Sequence, residues 1–263
     1  MRTSEALAFW YFAACVVVPW LRPLPWRSRA QIAIAGAAMS AAILAIAHHA
    51  PAVVRDWAPG ASILVAYYVS GWFFVRPARR VEQWLMSWDR RLLGDPTTRF
   101  ARWPRALLAY FELVYMGCFL LVPAGFAILT AIGRVDLADR YWTLVSAAEF
   151  GAFAPLVLIQ TRPPWMLERK PVLADRTLHR AASLMVEHVT IGANTFPSGH
   201  VAGSLAVAFA LVDVTPAIGM AMLLLAVSIG VATVVGRYHY VIDGIAGAGL
   251  ACAVWTITRA AGV

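Results

Sequence analysis

The sequence predicts an all-α fold, namely a polytopic membrane bundle of about eight transmembrane helices. Hydrophobic residues make up 61% of the chain and charged residues only 14%, whereas charged residues are about 25% of an ordinary soluble domain. The apolar residues also cluster into eight runs of roughly the length that crosses a bilayer. A soluble globular domain is therefore excluded, and we expect an integral membrane protein.

The apolar runs follow one another along the whole chain. They lie at about 6–21, 30–48, 58–75, 106–130, 141–159, 200–214, 216–236 and 239–258. No small-residue cleavage pattern follows the first run, so we interpret it as a retained helix rather than a signal peptide. We assign residues 1–57 to two additional N-terminal helices and residues 58–263 to a six-helix core.

The connection at 76–105 is strongly basic. It carries eight arginines against Glu82, Asp89 and Asp95, and such connections favour the cytoplasmic side of a membrane. Within it, VEQWLMSWDRRLLG has the apolar spacing of a helix that lies in the headgroup layer and binds anionic lipid headgroups. A connector helix packed against the bundle explains the pattern equally well. Topology accounts for the net charge of +8, and no nucleic-acid partner is expected.

The stretch NTFPSGH places polar residues where the sixth run begins. Pro197 suits the first turn of a helix, because its missing N–H would be unpaired there. Ser198 and Gly199 then offer backbone N–H groups at the positive end of the helix dipole, an arrangement that binds phosphate. His200 follows, so the motif predicts an anion site beside a histidine. A capped helix with an incidental histidine is the alternative.

The stretch GRYHYVID, at the start of the last run, supplies a second histidine. On a helix, His239 and Asp243 share one face, so the carboxylate can orient the imidazole for nucleophilic attack or proton transfer. The number of crossings puts this pair on the same membrane face as His200, where all three can converge on one phosphate. A metal site built from these three side chains is also chemically conceivable.

Two arginines lie close to these motifs. A guanidinium group suits phosphoryl oxygens, which it can bind through two N–H groups. Arg162 in TRPPW and Arg237 in GRYHY are the candidates. Ordinary contact with lipid headgroups is the alternative for each.

FPSGH, followed about forty residues later by HYxxD, resembles the type-2 phosphatidic acid phosphatase superfamily. This family also includes lipid phosphotransferases such as inositol phosphorylceramide and sphingomyelin synthases. The resemblance covers roughly residues 58–258 and implies a six-helix phosphatase-like core. The family pattern is K-x6-R-P, then P-S-G-H, then S-R-x5-H-x3-D. The matching positions are Arg162-Pro163, Pro197-Ser198-Gly199-His200, His239 and Asp243.

The chain departs from the family pattern at two places. Pro155 stands at the lysine position, and Ala232 and Thr233 stand at the Ser-Arg positions. We expect Arg237 to replace the missing arginine and Lys170 the missing lysine. The final feature is Tyr240, which directly follows His239 and resembles the His-Tyr pair of the phosphotransferase branch.

The resemblance implies a metal-independent lipid phosphate phosphatase that acts through a phosphohistidine and needs no cofactor. His239 would be the nucleophile, Asp243 its orienting partner, and His200 the general acid and base. The implied phosphate-binding residues are Arg162, Ser198, Gly199, Arg237 and Lys170. Two alternatives remain. One is transfer of the phospho-headgroup to a lipid alcohol, and the other is a catalytically silent lipid-binding membrane protein.

The expected substrate is a membrane lipid phosphate, and the arginines favour a site on the cytoplasmic face of a bacterial-type plasma membrane. Glu112 and Glu149 lie inside apolar runs, where a carboxyl group is a candidate for lining a headgroup or acceptor pocket. A structural glutamate is the alternative for both. His179 and His188 are expected on the surface of a short amphipathic helix.

Overall fold

The computed structural model describes residues 1–168, 184 and 189–262, and this part of the chain contains ten α-helices. In chain order they are α1 (Thr3–Val17), α2 (Trp26–His49), α3 (Ala52–Gly71), α4 (Arg79–Leu93), α5 (Pro96–Ala101), α6 (Arg105–Ala131), α7 (Ala138–Phe153), α8 (Gly199–Val212), α9 (Pro216–Val235) and α10 (Val241–Ala260). Short 3-10 turns lie at Val18–Leu21, Val135–Leu137, Ala154–Val157 and Pro164–Met166.

The all-α prediction is confirmed. Each of the eight predicted apolar runs contains one helix, and the two remaining helices, α4 and α5, lie in the basic segment 76–105. Within the described ranges no strand forms, and a single antiparallel bridge joins Thr161 to Asn194. The sequence pattern therefore located the helices correctly.

Five segments of the described chain are long and apolar enough to cross a membrane, as an integral membrane protein requires. They are Thr3–Leu21, Trp26–His49, Arg105–Ala131, Pro216–Val235 and Val241–Ala260. Gly199–Val212 is apolar but shorter. Because α3 and α7 fall outside this set, the number of eight crossings stays a prediction.

Helix α8 lies at the centre of the bundle and packs against α6, α7, α9 and α10. Helix α7 packs in turn against α1 and α3. Where α7 meets α3, the side chain of Trp142 is 1% exposed and donates from its indole N–H to the carbonyl oxygen of Asp56 over 2.5 Å. The N-terminus of α8 is thus held among helices on several sides, which fixes the direction of the residues that begin it.

Helix α4 packs against α10 at one end of the bundle. It buries Glu82, Leu85 and Asp89 on the face that meets the bundle and leaves Trp84 48% exposed on the other. This packing is what the connector interpretation of the basic segment expects. It brings two carboxylates to the end of the bundle where α8 and α10 begin.

Polar contacts tie the opposite end of the bundle together. Arg55 of α3 donates from Nε and Nη2 to the carboxylate oxygens of Glu5 in α1, over 2.8 and 2.9 Å. The Ser4 hydroxyl of α1 donates to Asp139 Oδ1 of α7 over 2.6 Å. Helix α1 is therefore joined to both α3 and α7 by hydrogen bonds as well as by packing.

Candidate active site

The N-terminus of α8 is built by a serine cap. The Ser198 hydroxyl oxygen accepts a hydrogen bond from the backbone N–H of Val201 over 3.4 Å, and the helix begins at Gly199. Pro197 therefore precedes the cap and lies outside the helix. This corrects the expectation that Pro197 opens the first turn, because the serine side chain already satisfies that end of the helix.

Two of the backbone N–H groups predicted to bind phosphate are engaged within the protein. That of Ser198 donates to the carbonyl oxygen of Asp243 over 3.0 Å, and that of Gly199 donates to Thr195 Oγ1 over 3.2 Å. The backbone N–H of His200 has no acceptor among the described residues. It is thus the available donor at the positive end of this helix.

His239 and Asp243 meet at the start of α10. His239 Nδ1 lies 3.3 Å from Asp243 Oδ2, and the same oxygen accepts the backbone N–H of Tyr240 over 2.9 Å. Tyr240 is the N-cap, so His239 lies before the helix and not on its face. The pair is formed, but by helix capping rather than by the i, i+4 spacing on a helix from which it was predicted.

The two histidines face each other. His239 Nε2 lies 3.4 Å from His200 Nδ1, and His239 is only 4% exposed. Burial lowers the pKa of His239 to about 3, because a charged imidazolium loses its hydration there. The ring of Tyr115 stacks on that of His200 with a centroid distance of 5.4 Å and an interplanar angle of 18°. Packing therefore fixes the orientation of both rings.

A tight turn places His239 at this position. The carbonyl oxygen of Thr233 accepts the backbone N–H groups of Tyr238 and His239, over 2.8 and 3.0 Å. Arg237 adopts a φ of 60°, a left-handed conformation that is unusual for a residue with a side chain. Its carbonyl oxygen accepts the N–H of Trp165 over 3.0 Å. These bonds fix the backbone directly before the histidine.

Arg237 is buried in a cluster with two carboxylates. Its side chain is 1% exposed, and its Nε and Nη2 donate to Glu168 over 2.8 and 2.6 Å. Nη2 also lies 2.8 Å from Asp89 Oδ2. Burial opposes the charge of Arg237, but the hydrogen bonds to Glu168 and the charge of Asp89 outweigh it and raise its pKa. Within the described chain, Nη1 has no partner.

Arg162 is held in a similar way by α4. Its Nε and Nη2 donate to the two oxygens of Glu82 over 3.0 and 2.9 Å, and its backbone N–H donates to Glu82 Oε1 over 2.9 Å. Burial opposes the charge of Glu82, but these bonds from Arg162 outweigh it and lower its pKa. Nη1 of Arg162 makes no bond to any described residue. In each arginine, Nη1 is thus the guanidinium nitrogen without a hydrogen-bond partner among the described residues.

Sequence reasoning missed the three carboxylates that hold these arginines, namely Glu82, Asp89 and Glu168. One signal was present, because Glu82 and Asp89 are seven residues apart on a helix and therefore share a face. That face could be recognised from the sequence, but its arginine partners lie about 80 and 150 residues further along the chain. Nothing in the local pattern identifies them.

Other predicted residues are not brought into the described site. Lys170, His179 and His188 lie outside the described residues. Thr233, at the family's arginine position, is fully buried and donates its hydroxyl to the carbonyl oxygen of Gly230 over 2.8 Å. Among residues 1–168 and 189–262, no three His, Cys, Asp or Glu side chains form a group that could hold a metal ion.

The site therefore combines a capped helix N-terminus, two histidines in contact, a carboxylate on one of them and two clamped arginines. A model of the PAP2 superfamily, the type-2 phosphatidic acid phosphatases, matches residues 83–257. No curated protein and no solved structure matches the chain. The match covers more than half of the 263 residues and includes every residue of the described site except Glu82, so the chain belongs to the PAP2 superfamily.

Proposed function

We propose that this protein is a membrane-embedded lipid phosphate phosphatase that acts through a phosphohistidine on His239. The observation that carries the proposal is the contact series of Asp243, His239 and His200, with separations of 3.3 and 3.4 Å, in which Asp243 and His239 are buried. Members of the PAP2 superfamily are phosphoric ester hydrolases or transferases. The series supplies a nucleophile, a group that orients it and a proton carrier from protein side chains alone.

The first step forms a bond between His239 Nε2 and phosphorus and breaks the bond between phosphorus and the lipid oxygen. Asp243 accepts a hydrogen bond from the Nδ1–H of His239, which leaves the Nε2 lone pair free to attack. The departing lipid oxygen takes a proton from the imidazolium form of His200, which becomes neutral. In the second step His200 takes a proton from water, the water oxygen attacks phosphorus, and the nitrogen–phosphorus bond breaks.

The phosphoryl oxygens are bound by donors around the histidines. Arg162 and Arg237 each use Nε and Nη2 for a carboxylate, and in this proposal Nη1 of each donates to the phosphate and spreads the charge of the transition state. The N–H of His200 and the hydroxyl of Ser198 add helix-terminal donors, and Gly199 lets a phosphate approach closely. Lys170 is proposed as a further cation from the sequence alone.

Glu82, Asp89 and Glu168 are positioning residues in this scheme. They keep the two guanidinium groups in one orientation, so little rotational freedom is lost when phosphate binds. They also reduce the local positive charge, which makes product release easier. This arrangement replaces the lysine and the Ser-Arg pair that the family pattern places elsewhere.

Transfer to a lipid alcohol is the second candidate function. It is favoured by the residues at the family's Ser-Arg positions, since Ala232 is 1% exposed and the Thr233 hydroxyl is bonded to Gly230. Neither side chain can contact phosphate, so the site departs from the hydrolase pattern. Transfer would use the same phosphohistidine, with a lipid hydroxyl replacing water in the second step.

We also propose that the site faces the cytoplasm of a bacterial-type plasma membrane. Helix α4 and the starts of α8 and α10 share one end of the bundle with most of the arginines. The exposed arginines of segment 76–105 would contact anionic lipid headgroups.

The test uses purified protein in mixed micelles with EDTA. Phosphatidic acid, a polyprenyl diphosphate and phosphatidylinositol are supplied with and without diacylglycerol or ceramide, beside His239→Ala and a size-exclusion check of folding. Phosphate release by the wild type alone, with an acid-labile phosphate on the protein after rapid quenching, is the expected result. A new phospholipid that requires the acceptor would favour transfer. Turnover that His239→Ala retains would contradict the proposal.

A further inference from the structure

A cavity of about 220 Å³ lies beside His200. It is enclosed by α3, α6, α7 and the first turns of α8. Apolar side chains form most of its wall, including Ile63, Phe119 and Phe153. The polar side chains that line it are Tyr67, Glu149, Thr195, His200 and Ser204. The cavity therefore adjoins the group that would protonate the leaving oxygen.

Glu149 is the acidic side chain of this wall. It is 9% exposed, and no hydrogen bond or ion pair joins its carboxyl group to any described residue. A Cβ atom at Gly199 would lie 3.2 Å from Glu149 Oε2, and one at Gly203 would overlap Oε1. Glycines in α8 thus make room for this carboxyl group next to His200. A buried carboxyl without a partner is costly unless something else binds it.

The cavity opens sideways, between α3 and α6. Both helices border it, yet they make at most marginal contact with each other. Leu64 on the α3 side is 55% exposed, and Pro123 on the α6 side is also exposed. An apolar rim of this kind faces the region that lipid chains occupy. A lipid alcohol can therefore reach His200 from the bilayer.

The size of the cavity limits what it holds. At about 220 Å³ it has room for several groups the size of a water molecule. This suits the backbone of a lipid alcohol, whereas two complete acyl chains need more room and would extend through the rim. The part of the substrate nearest the ester oxygen would then lie beside Glu149.

We infer that this cavity receives the alcohol portion of the substrate and that Glu149 hydrogen-bonds a hydroxyl group on it. The preferred substrates are therefore phosphate esters of lipid alcohols that carry a second hydroxyl near the ester. Glu149 acts here as a specificity-determining residue, since it contacts the substrate away from phosphorus. The inference rests on the proposed function, because it requires lipid phosphate esters to react at His239.

The experiment compares two esters that differ by one oxygen atom. They are 1-acylglycerol 3-phosphate and its 2-deoxy analogue, given to purified protein in mixed micelles. Wild type is expected to favour the hydroxylated ester at least about tenfold in kcat/KM, because a site built to bind a hydroxyl discriminates against its absence. Glu149→Leu should remove this preference by lowering kcat/KM for the hydroxylated ester about tenfold, toward the value for the deoxy ester. Glu149→Gln, which keeps a donor and an acceptor, should retain part of the preference.

Ile63→Ala is the matched control, because it changes the shape of the cavity wall without changing its polarity. It should affect the two esters alike. Equal use of both esters by wild type, or equal loss of both in Glu149→Leu, would overturn the inference and leave the proposed function standing. Absence of any His239-dependent phosphate release from either ester would contradict the function and the inference with it.

Discussion

Asp243 performs two tasks with one oxygen atom. Its Oδ2 accepts the N–H of Tyr240, which caps α10, and it faces Nδ1 of His239. Its backbone carbonyl also accepts the N–H of Ser198, which begins α8. The residue proposed to orient His239 thus also joins the two helix termini that carry the histidines. Asp243 therefore stabilises the starts of α8 and α10 and also takes part in the proposed reaction.

Asp243→Asn should separate these tasks. The amide oxygen can still accept the N–H of Tyr240, so the cap and the fold are expected to persist. The negative charge that stabilises an imidazolium is lost, and turnover should fall by about 10² to 10⁴-fold, as in related triads. The measurement is kcat together with thermal unfolding. A loss of folding equal to the loss of activity would assign Asp243 a structural role only.

The buried position of His239 predicts its behaviour with pH. Its pKa of about 3 lies below the ordinary value of about 6.5. The ring should therefore stay neutral from pH 8 to pH 5, and protonation should begin only well below this range. The check is NMR of ¹³C-labelled histidine in micelles, with the resonance assigned by its loss in His239→Gln. A titration midpoint near 6.5 would contradict the burial seen here.

Among the helices, α4 determines how the guanidinium groups of Arg162 and Arg237 are oriented. It crosses the end of the bundle and supplies Glu82 to Arg162 and Asp89 to Arg237. Asp89 Oδ1 also accepts the N–H of Val241, the first residue of α10, over 2.9 Å. One surface helix therefore contacts both guanidinium groups and α10, the helix that follows His239.

Glu82→Gln should weaken substrate binding more than it slows the reaction. A neutral amide has one acceptor oxygen and no charge, so it cannot accept from both Nε and Nη2 of Arg162 as the carboxylate does. The guanidinium group therefore becomes more mobile. We expect KM for a lipid phosphate to rise about tenfold, with kcat changed by less than about threefold, in steady-state assays. Gln83→Asn, at the exposed neighbouring position, is the control. An unchanged KM would show that Glu82 does not position Arg162 for substrate.

The close contact of α7 with α8 predicts a steric effect at Gly203. A methyl group there would overlap the Glu149 carboxyl, so Gly203→Ala should destabilise the protein by about 1–3 kcal/mol. Adding Glu149→Ala should restore most of this stability. Thermal unfolding in detergent is the measurement, and Gly249→Ala is the control, because a Cβ there meets nothing within 4 Å. Equal effects of Gly203→Ala and Gly249→Ala would rule out the contact.

At the scale of the whole molecule, the two ends of the bundle differ in chemistry. One end carries the histidines, the clamped arginines and α4, while the other is closed by pairs such as Arg55 with Glu5. Helix α1 takes part in this second end and also stacks Tyr11 on Phe150 of α7, with ring centroids 4.5 Å apart. Helix α1 is thus packed onto α7, which in turn packs against α8, while α2 packs against α1 and α3.

Labelling can show which membrane face each end occupies. In a cysteine-free background, Gln83→Cys on α4 and Asp136→Cys in the 3-10 turn Val135–Leu137 mark the two ends at exposed positions. In intact cells, an impermeant maleimide should label Asp136→Cys only, with Gln83→Cys reacting after lysis. The positive-inside bias of segment 76–105 is the reason. The reverse pattern would place the site on the outer face.

The sequence was sufficient to bring His200, His239 and Asp243 together. Their helix starts are separated by an even number of predicted crossings, so they share one end of the bundle. The sequence was not sufficient to predict which carboxylates bind the two arginines. Arg162 contacts Glu82 only because α4 packs back onto the bundle. Helical periodicity shows which face of α4 is buried but carries no information about what lies opposite. Side-chain partners distant in sequence depend on tertiary packing.

The 3.4 Å contact between His239 Nε2 and His200 Nδ1 places a hydrogen-bond partner against the atom that the proposed mechanism uses as the nucleophile. If His200 donates its Nδ1 proton, the lone pair that must attack phosphorus serves as the acceptor of that hydrogen bond. A phosphoryl group needs about 3 Å on each side to stand in line between a nucleophile and an acid. Binding must therefore move the rings apart, and that part of the binding free energy does not appear as affinity. In the proposed mechanism, a ligand would therefore need enough contacts elsewhere in the site to separate the two rings.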